Sequence, residues 1–342
     1  MSPIEIIAII LLAAFASWVI TGRLLAILRR HTILDIPNDR SSHSTPIPRG
    51  GGIAVISIIL TSWAIIWFAY DTQTTVQAFW IMIGLCLCLA FISAVDDVKN
   101  GIPAIVRLLV QSIVVTIGLF TLPQSGQTFW GYIPVELDLA LTAIIWLWFL
   151  NLFNFMDGID GLAGSQSITT GLGICAVALI TPDMSVYGLY GLALAGATIG
   201  FLPWNWQPAK IFLGDVGSIS IGFIIGWLLL SITSYGMWSA AILLVLYFVS
   251  DTTLTLTRRL LKGSKVWKPH REHYYQLAVR AGCNHSYVVI LITILNIILC
   301  GLAFISTVSE TAEWLSVSVG IILTMWIIWY FRFVRPKSVN AK

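Results

Sequence analysis

Charge is what this chain has least of. Only 10% of its 342 residues are Asp, Glu, Lys or Arg, against about 25% in an ordinary soluble domain. That scarcity, with 58% hydrophobic residues and a mean hydropathy of +0.89, leaves no stretch between the apolar runs long enough for a useful soluble domain. Cysteine is also sparse, with five in all. Cys86 and Cys88 lie inside one apolar run and point to different helix faces, Cys175 and Cys300 lie in other runs, and Cys283 is alone in a polar loop. This excludes a zinc pattern or a disulfide framework, and packing is the expected role of the four in apolar runs. The first apolar run has neither a basic segment ahead of it nor a small-residue cleavage site, so it reads as a span rather than a signal peptide. The apolar runs do not alternate, which selects helices over a closed barrel as the way to satisfy the backbone in lipid. No internal repeat is visible.

What is present is a series of long apolar segments. A span needs roughly 20 apolar residues. By that measure there are about eleven, near 4–28, 52–70, 76–95, 103–122, 138–153, 165–181, 186–203, 217–234, 237–261, 286–306 and 313–333. The expected fold is an all-α polytopic membrane protein forming one integral-membrane domain over 1–342. Lys and Arg lie in or beside alternate connections: Arg23–Arg49, Lys99–Arg107, Lys210, Arg258–Arg280 and Arg332–Lys342. The other connections have none. The positive-inside rule puts the N-terminus outside and the C-terminus in the cytoplasm. The net charge of +3 therefore reflects topology and anionic headgroups rather than nucleic acid. Phe129, Trp130 and Tyr132 in the outer connection Pro123–Asp138 read as an interfacial belt. The fifteen tryptophans otherwise read as span-end or lipid-facing residues without chemistry.

The stretch from Asn151 to Gly164, Asn-Leu-Phe-Asn-Phe-Met-Asp-Gly-Ile-Asp-Gly-Leu-Ala-Gly, turns abruptly polar at the end of an apolar run. Asn151, Asn154 and Asp157 share one helix face. Asp157 and Asp160, set among glycines, suit a divalent cation or a phosphate-bearing ligand with its cation. Amides and carboxylates are costly at a membrane helix end unless they have a task.

The other polar clusters fall on the expected cytoplasmic side. The first loop offers Arg40, Ser41, Ser42 and His43 as donors, and Arg49 precedes three glycines that open the second span. Donors and glycines at a helix N-terminus can hold an anion, although a plain basic loop would read the same way. Asp96 and Asp97 end the third span, where one could bind a metal while the other acts as a base. After the seventh span, Asp215 sits between Gly214 and Gly217, with Phe212 placed to stack on a base and Asn205 and Lys210 as donors. For Asp251, in the ninth span, a structural pairing and a direct site role both fit. The last inner loop carries His270-Arg-Glu-His273 among Lys and Arg, better suited to a diphosphate than to zinc. Carboxylates for Mg²⁺, and Arg, Lys and His for phosphate oxygens, are the components of phosphoryl transfer. Their place at a membrane surface suggests one soluble substrate and one lipid phosphate.

These motifs, in order along nearly the whole chain, resemble those of the bacterial polyprenyl-phosphate N-acetylhexosamine-1-phosphate transferases. They are Pro37-Asn-Asp-Arg-Ser-Ser-His43, Arg49-Gly-Gly-Gly52, Asp96-Asp97, Asn151 to Gly164, Phe212-Leu-Gly-Asp-Val-Gly-Ser218 and His270-Arg-Glu-His273. The resemblance implies that undecaprenyl phosphate attacks the β-phosphorus of a UDP-N-acetyl amino sugar, giving undecaprenyl-diphosphate-sugar and UMP, with Mg²⁺ or Mn²⁺ required. It implies Asp215 as main metal ligand with Asp97 beside it, and Asp96 and Asp97 as the pair that deprotonates or positions the lipid phosphate. It puts Asn154, Asp157 and Asp160 at the nucleotide and metal site, and Gly158, Asn205 and Phe212 at the uridine. Arg40 and Asp251 join the substrate-binding set, and His270, Arg271 and His273 face the diphosphate or sugar. The identity of the base stays open, as does a covalent intermediate and a homodimer.

The peptidoglycan branch has three consecutive histidines in the last inner loop and a Lys shortly before the first-loop glycines. Both are missing here. The pattern is closer to the branch that initiates surface glycans such as O-antigen, with GlcNAc or a 6-deoxy amino sugar as donor group, in the bacterial inner membrane. The rival expectation is a secondary transporter or lipid flippase, whose coupling acids would lie near the midplane on broken helices.

Overall fold

The apolar runs become helices because a chain surrounded by hydrocarbon has to satisfy each backbone group within its own segment. The computed structural model describes residues 2–31, 34–35, 45–70, 75–99, 101–123, 128–129, 131–180, 182–264 and 270–334. Its helices are α1 (Pro3–Arg30), α2 (Gly52–Ala69), α3 (Val76–Lys99), α4 (Ala104–Gly118), α5 (Val135–Met156), α6 (Leu162–Ala178), α7 (Ser185–Asn205), α8 (Asp215–Thr233), α9 (Trp238–Leu243), α10 (Leu246–Leu261), α11 (Tyr274–Arg280), α12 (His285–Ile305) and α13 (Glu310–Phe333). Extended pairing among the described residues is limited to a two-residue antiparallel pair, β1 (Leu34–Asp35) and β2 (Ile47–Pro48), with Leu34 opposite Pro48, and a single parallel bridge between Arg49 and Phe212.

Each of the expected spans is helical, and 9 helices among the described residues are long and apolar enough to cross a membrane. Two expected spans differ. The sixth is the 17-residue α6, short but lined by buried residues. The ninth, expected as one helix over 237–261, is broken between α9 and α10. The break has a specific cause. The Leu244 carbonyl accepts hydrogen bonds from Gln166 Nε2 at 2.9 Å and Thr170 Oγ1 at 3.2 Å. Asn296 Nδ2 in turn donates to Gln166 Oε1 at 2.8 Å. In the bundle interior these side chains supply partners that a continuous helix would have provided itself.

α8 is the axis of the bundle. Every residue from Val216 to Thr233 is buried, as expected for a helix that is apolar all round. α5, α3 and α2 pack on it, and α7 carries α1, α2 and α6. At the polar end α2 and α8 cross so closely that a Cβ on Gly52 would collide with the backbone of Gly217. Small residues at such a crossing allow the backbone approach on which helix association in lipid depends.

The tryptophans correct the sequence expectation in part. Trp63, Trp146 and Trp227 are fully buried. Their indole N–H groups donate to Tyr190 O, Phe223 O and Thr121 Oγ1, each at 3.0 Å. They join helices in the core, since a buried indole brings large apolar area and one donor that must be matched. Trp130 lies outside the described residues. In the connection before α5 the buried Asp138 accepts from the Thr128 and Phe129 N–H groups at 3.0 and 2.9 Å, holding the segment on α5.

Candidate active site at the polar end of the bundle

Five elements converge at the N-terminus of α8. Asp215 is the first residue of that helix, preceded by the positive-φ Gly214 (φ 76°). Asp97, at the end of α3, accepts from the Asp215 and Val216 N–H groups at 3.3 and 3.2 Å. It thereby satisfies orphan donors at the positive end of the helix dipole. The Phe212 backbone ties the approach to α8 onto the start of α2. Its N–H donates to Pro48 O at 2.8 Å and its carbonyl accepts from Gly51 N at 2.8 Å. That pairing delivers Arg49 to the aspartates, with Nε 3.0 Å from Asp97 Oδ1 and Nη2 2.6 Å from Asp215 Oδ1.

From α4, Arg107 Nη1 lies 2.6 Å from Asp96 Oδ2 and 3.0 Å from Asp215 Oδ2. Asp96 Oδ1 also accepts from Ile102 N at 3.0 Å. The adjacent Asp96 and Asp97 are thus both used, turned apart by the helix toward α4 and α8 respectively. From α5, Asn154 Nδ2 donates to Asp215 Oδ1 at 3.2 Å and Ser218 Oγ at 2.8 Å. Asn151 instead bonds Gln111 of α4 at 2.9 Å. Asp157 caps the end of α5. Burial, then the charge of Asp215, push its carboxyl well above the usual carboxylate range, and Arg49 offsets this only in part. Asp96, Asp97 and Asp215 therefore share two guanidinium groups, with Asp157 near enough to feel the charges of Asp215 and Arg49, an arrangement rich in hard oxygen donors and short of positive charge.

The remaining expected residues lie around this cluster. Asp160 turns away from it. Its Oδ2 accepts from Ala209 N at 3.1 Å, and its Oδ1 is 3.5 Å from His285 Nδ1. Asn205 is buried and braces the turn, accepting from Gly161 N and donating to Ile211 O, both at 3.0 Å. Phe212 is half-buried, and Gly158 faces Tyr275 of α11. Asp251 is fully enclosed. Its two oxygens meet Tyr247 Oη (3.0 Å), Thr255 Oγ1 (3.3 Å), His273 Nδ1 (3.2 Å) and the N–H groups of Tyr274 (3.0 Å) and Tyr275 (3.1 Å). With five protein partners it anchors a loop, the structural option of the two left open by the sequence. His270 stacks on His273 with ring centroids 4.9 Å apart. Burial, with the charges of His273 and Arg259, lowers the His270 imidazole to about 4, so it is neutral at physiological pH. The Arg271 carbonyl accepts from Arg280 Nη1 at 3.4 Å, and Glu272 pairs with Arg258 and Arg259. Arg40 lies outside the described residues.

Arg107 had no expected site role, while Arg49 was expected only as an anion donor beside the glycines and Glu272 only as part of the His270–His273 motif. An Arg four residues into a span is the signal that could have marked Arg107. Among the described residues no three His, Cys, Asp or Glu side chains form a ready metal cage. The donor set still fits Mg²⁺, which keeps several waters and takes one or two carboxylates together with substrate phosphates.

Comparison with known proteins places the chain among sugar-phosphate transferases by sequence. The family model described as glycosyl transferase family 4 matches residues 79–233, a segment holding Asp96, Asp97, Asn154, Asp157 and Asp215. The chain is similar to the decaprenyl-phosphate N-acetylglucosaminephosphotransferase of Mycobacterium tuberculosis (strain CDC 1551 / Oshkosh), 30% identical over 333 residues that cover 85% of this chain and 80% of the relative. It is similar to the undecaprenyl-phosphate alpha-N-acetylglucosaminyl 1-phosphate transferase of Escherichia coli (strain K12), 26% identical over 88% of this chain and 82% of the relative. It is also similar to a probable undecaprenyl-phosphate N-acetylglucosaminyl 1-phosphate transferase of Bacillus subtilis (strain 168), 26% identical over 86% of this chain and 82% of the relative.

Proposed function

This chain belongs to glycosyl transferase family 4, and from that membership we propose that it transfers N-acetylhexosamine-1-phosphate from a UDP-sugar to undecaprenyl phosphate at the cytoplasmic face of the bacterial inner membrane. The observation that carries the reading is the junction of Asp96, Asp97 and Asp215 with Arg49 and Arg107 at the buried N-terminus of α8. An oxygen of the lipid phosphate forms a bond to the β-phosphorus of the donor. The bond from that phosphorus to the bridging oxygen breaks, and UMP leaves with the electron pair. GlcNAc or a 6-deoxy amino sugar is the proposed donor group, and initiation of a surface glycan such as O-antigen the proposed role.

Asp215, with Asp97 or Asp157, would hold Mg²⁺ or Mn²⁺, which when bound supplies Lewis-acid stabilisation of diphosphate charge. Arg49 and Arg107 keep the carboxylates apart and oriented, and they present planar donors suited to phosphate oxygens. Asn154, itself held by Ser218, donates directly to Asp215 and orients its carboxylate. The neutral His270 can donate to or accept from the diphosphate or sugar without adding charge. An apolar cavity of about 550 Å³ between α5, α8, α9 and α10, lined by Trp146, Leu152, Trp238 and Val249 among others, offers room for polyprenyl chain beside the helices that carry Asn154 and Asp251. The transporter reading needs an intramembrane acid able to take up an ion, and the deepest candidate, Asp251, already has five protein partners.

The test is UMP release by purified protein given undecaprenyl phosphate, Mg²⁺ and a panel of UDP-N-acetyl sugars. Release with one donor and the lipid, abolished by chelation, is expected. No release with any donor, including 6-deoxy amino sugars, from folded protein would overturn the proposal.

A further inference from the structure

The motif His270-Arg-Glu-His273 continues as Tyr274-Tyr275-Gln276, and no role in the transfer falls to those residues from the reading above. Tyr275 is fully buried although it lies in the first turn of a short helix beside a polar loop. Its phenol donates to the Phe155 carbonyl at 3.0 Å. The same oxygen accepts from the Gly158 backbone and the Gln276 side chain. One hydroxyl thus closes the turn from Phe155 to Gly158, and Asp157 is inside that turn. Gly158 is small for the same reason. A Cβ there would collide with the Tyr275 hydroxyl and come within 3.0 Å of Gln276 Nε2.

The other end of Tyr275 is equally constrained. Its N–H, with that of Tyr274, donates to Asp251 at 3.1 and 3.0 Å. A buried carboxylate on α10 therefore fixes the N-terminus of α11. The same carboxylate holds His273 Nδ1 at 3.2 Å, and the His273 ring stacks on both His270 and Tyr275, at 4.9 and 5.8 Å. α10, the histidine loop and the Asp157 turn form one connected unit.

We propose that Tyr275 is a positioning residue for the Asp157 turn. Its phenol transmits the placement of the Asp251-anchored histidine loop to the carboxylate at the end of α5, so that both sides of the site are set together. The inference rests on the reading of Asp157 as part of the transferase site. It predicts more than general stability, because among the described residues the hydroxyl bonds Phe155 and Gly158 on either side of Asp157, and its own neighbour Gln276.

The test compares wild type, Tyr275→Phe, Gly158→Ala and the double variant, each purified with lipid. Tyr275→Phe is expected to lower kcat about 10- to 100-fold, the usual effect of losing a partner that orients a site ligand. The Mg²⁺ concentration for half-maximal rate should rise, and the increase in melting temperature caused by Mg²⁺ should shrink, while the melting temperature without Mg²⁺ changes little. Gly158→Ala should impair in the same direction. The double variant should be less impaired than the product of the two singles, because removing the hydroxyl makes room for the new methyl.

Wild-type kinetics and Mg²⁺ response in Tyr275→Phe would overturn the inference. So would strictly multiplicative losses in the double variant, or a uniform fall in melting temperature with unchanged Mg²⁺ dependence. If Tyr275→Phe does not fold, Gly158→Ala, which keeps the phenol but displaces it, supplies the same readouts. A wild type that shows the Mg²⁺-dependent melting shift but no transfer with any donor would sink the proposed reaction and leave the positioning role to be judged on the melting data.

Discussion

Arg107 uses a single nitrogen to contact Asp96 and Asp215, and so couples the end of α3 to the start of α8. Removing it takes the guanidinium partner from Asp96 and leaves Asp215 with Arg49. Arg107→Ala is expected to reduce kcat about 10- to 100-fold in the UMP-release assay. Arg107→Lys should recover part of the loss, since an ammonium keeps the charge but not the planar fork. Equal activity of wild type and Arg107→Ala would remove Arg107 from the site. His270 gives a prediction in pH. Its folded-state value of about 4 lies below the ordinary 6.5, so between those values the folded protein binds fewer protons than the unfolded chain. This contribution to stability is complete above about 6.5 and falls away as pH drops toward 4. A ¹³C-histidine titration should place the His270 midpoint near 4, and a midpoint at or above 6.5 would contradict its burial. At this scale the clustering of Asp96, Asp97, Asp215 and Asn154 was legible, because polar groups at membrane helix ends are costly without a function, whereas the turn of Asp160 away from that cluster was not. Nor was Arg107, because the positive-inside rule already accounts for any arginine on that side, and Arg49 was legible as an anion donor but not as the partner of Asp97 and Asp215.

The helices were legible as elements for a similar reason. Twenty or so apolar residues in lipid have few alternatives to a helix. The break between α9 and α10 was not legible. Neither glycine nor proline marks it, and its cause lies in Gln166 and Thr170 of α6 and Asn296 of α12, distant in sequence. Gln166→Leu would leave the Leu244 carbonyl with Thr170 alone and strip Asn296 of its acceptor. We expect a loss of about 1–3 kcal/mol, the range for a buried polar group left unpaired, read as a lowered unfolding midpoint in detergent. An unchanged midpoint would mean that the break is held by packing alone. Asp251 was legible as a buried acid with a partner, while its five specific partners required the fold of the loop after α10.

For the whole molecule, the distribution of Lys and Arg sets an orientation that labelling can test. Tyr132 is 85% exposed in the outer connection and Leu261 is 83% exposed at the basic end of α10. Tyr132→Cys, in a background lacking the native cysteines, should react with a membrane-impermeant maleimide on intact cells, and Leu261→Cys only after permeabilisation. The reverse pattern would invert the topology and place the aspartates away from cytoplasmic nucleotide sugars. The polar end as one assembled site could be anticipated from the motifs, because each came from a connection on the same side. Its internal order, with α8 as the buried axis, could not, since apolar runs of similar hydropathy do not announce which one the others surround.

The central claim is that a phosphorus atom moves with the sugar. The direct measurement is transfer from UDP-GlcNAc, or the donor selected by the panel, labelled with ³²P at the β-phosphate, to undecaprenyl phosphate. The account predicts that label enters the lipid phase in step with unlabelled UMP release, and that Asp215→Asn stops both while the protein stays folded. Label retained in soluble UDP while the sugar reaches the lipid would contradict it.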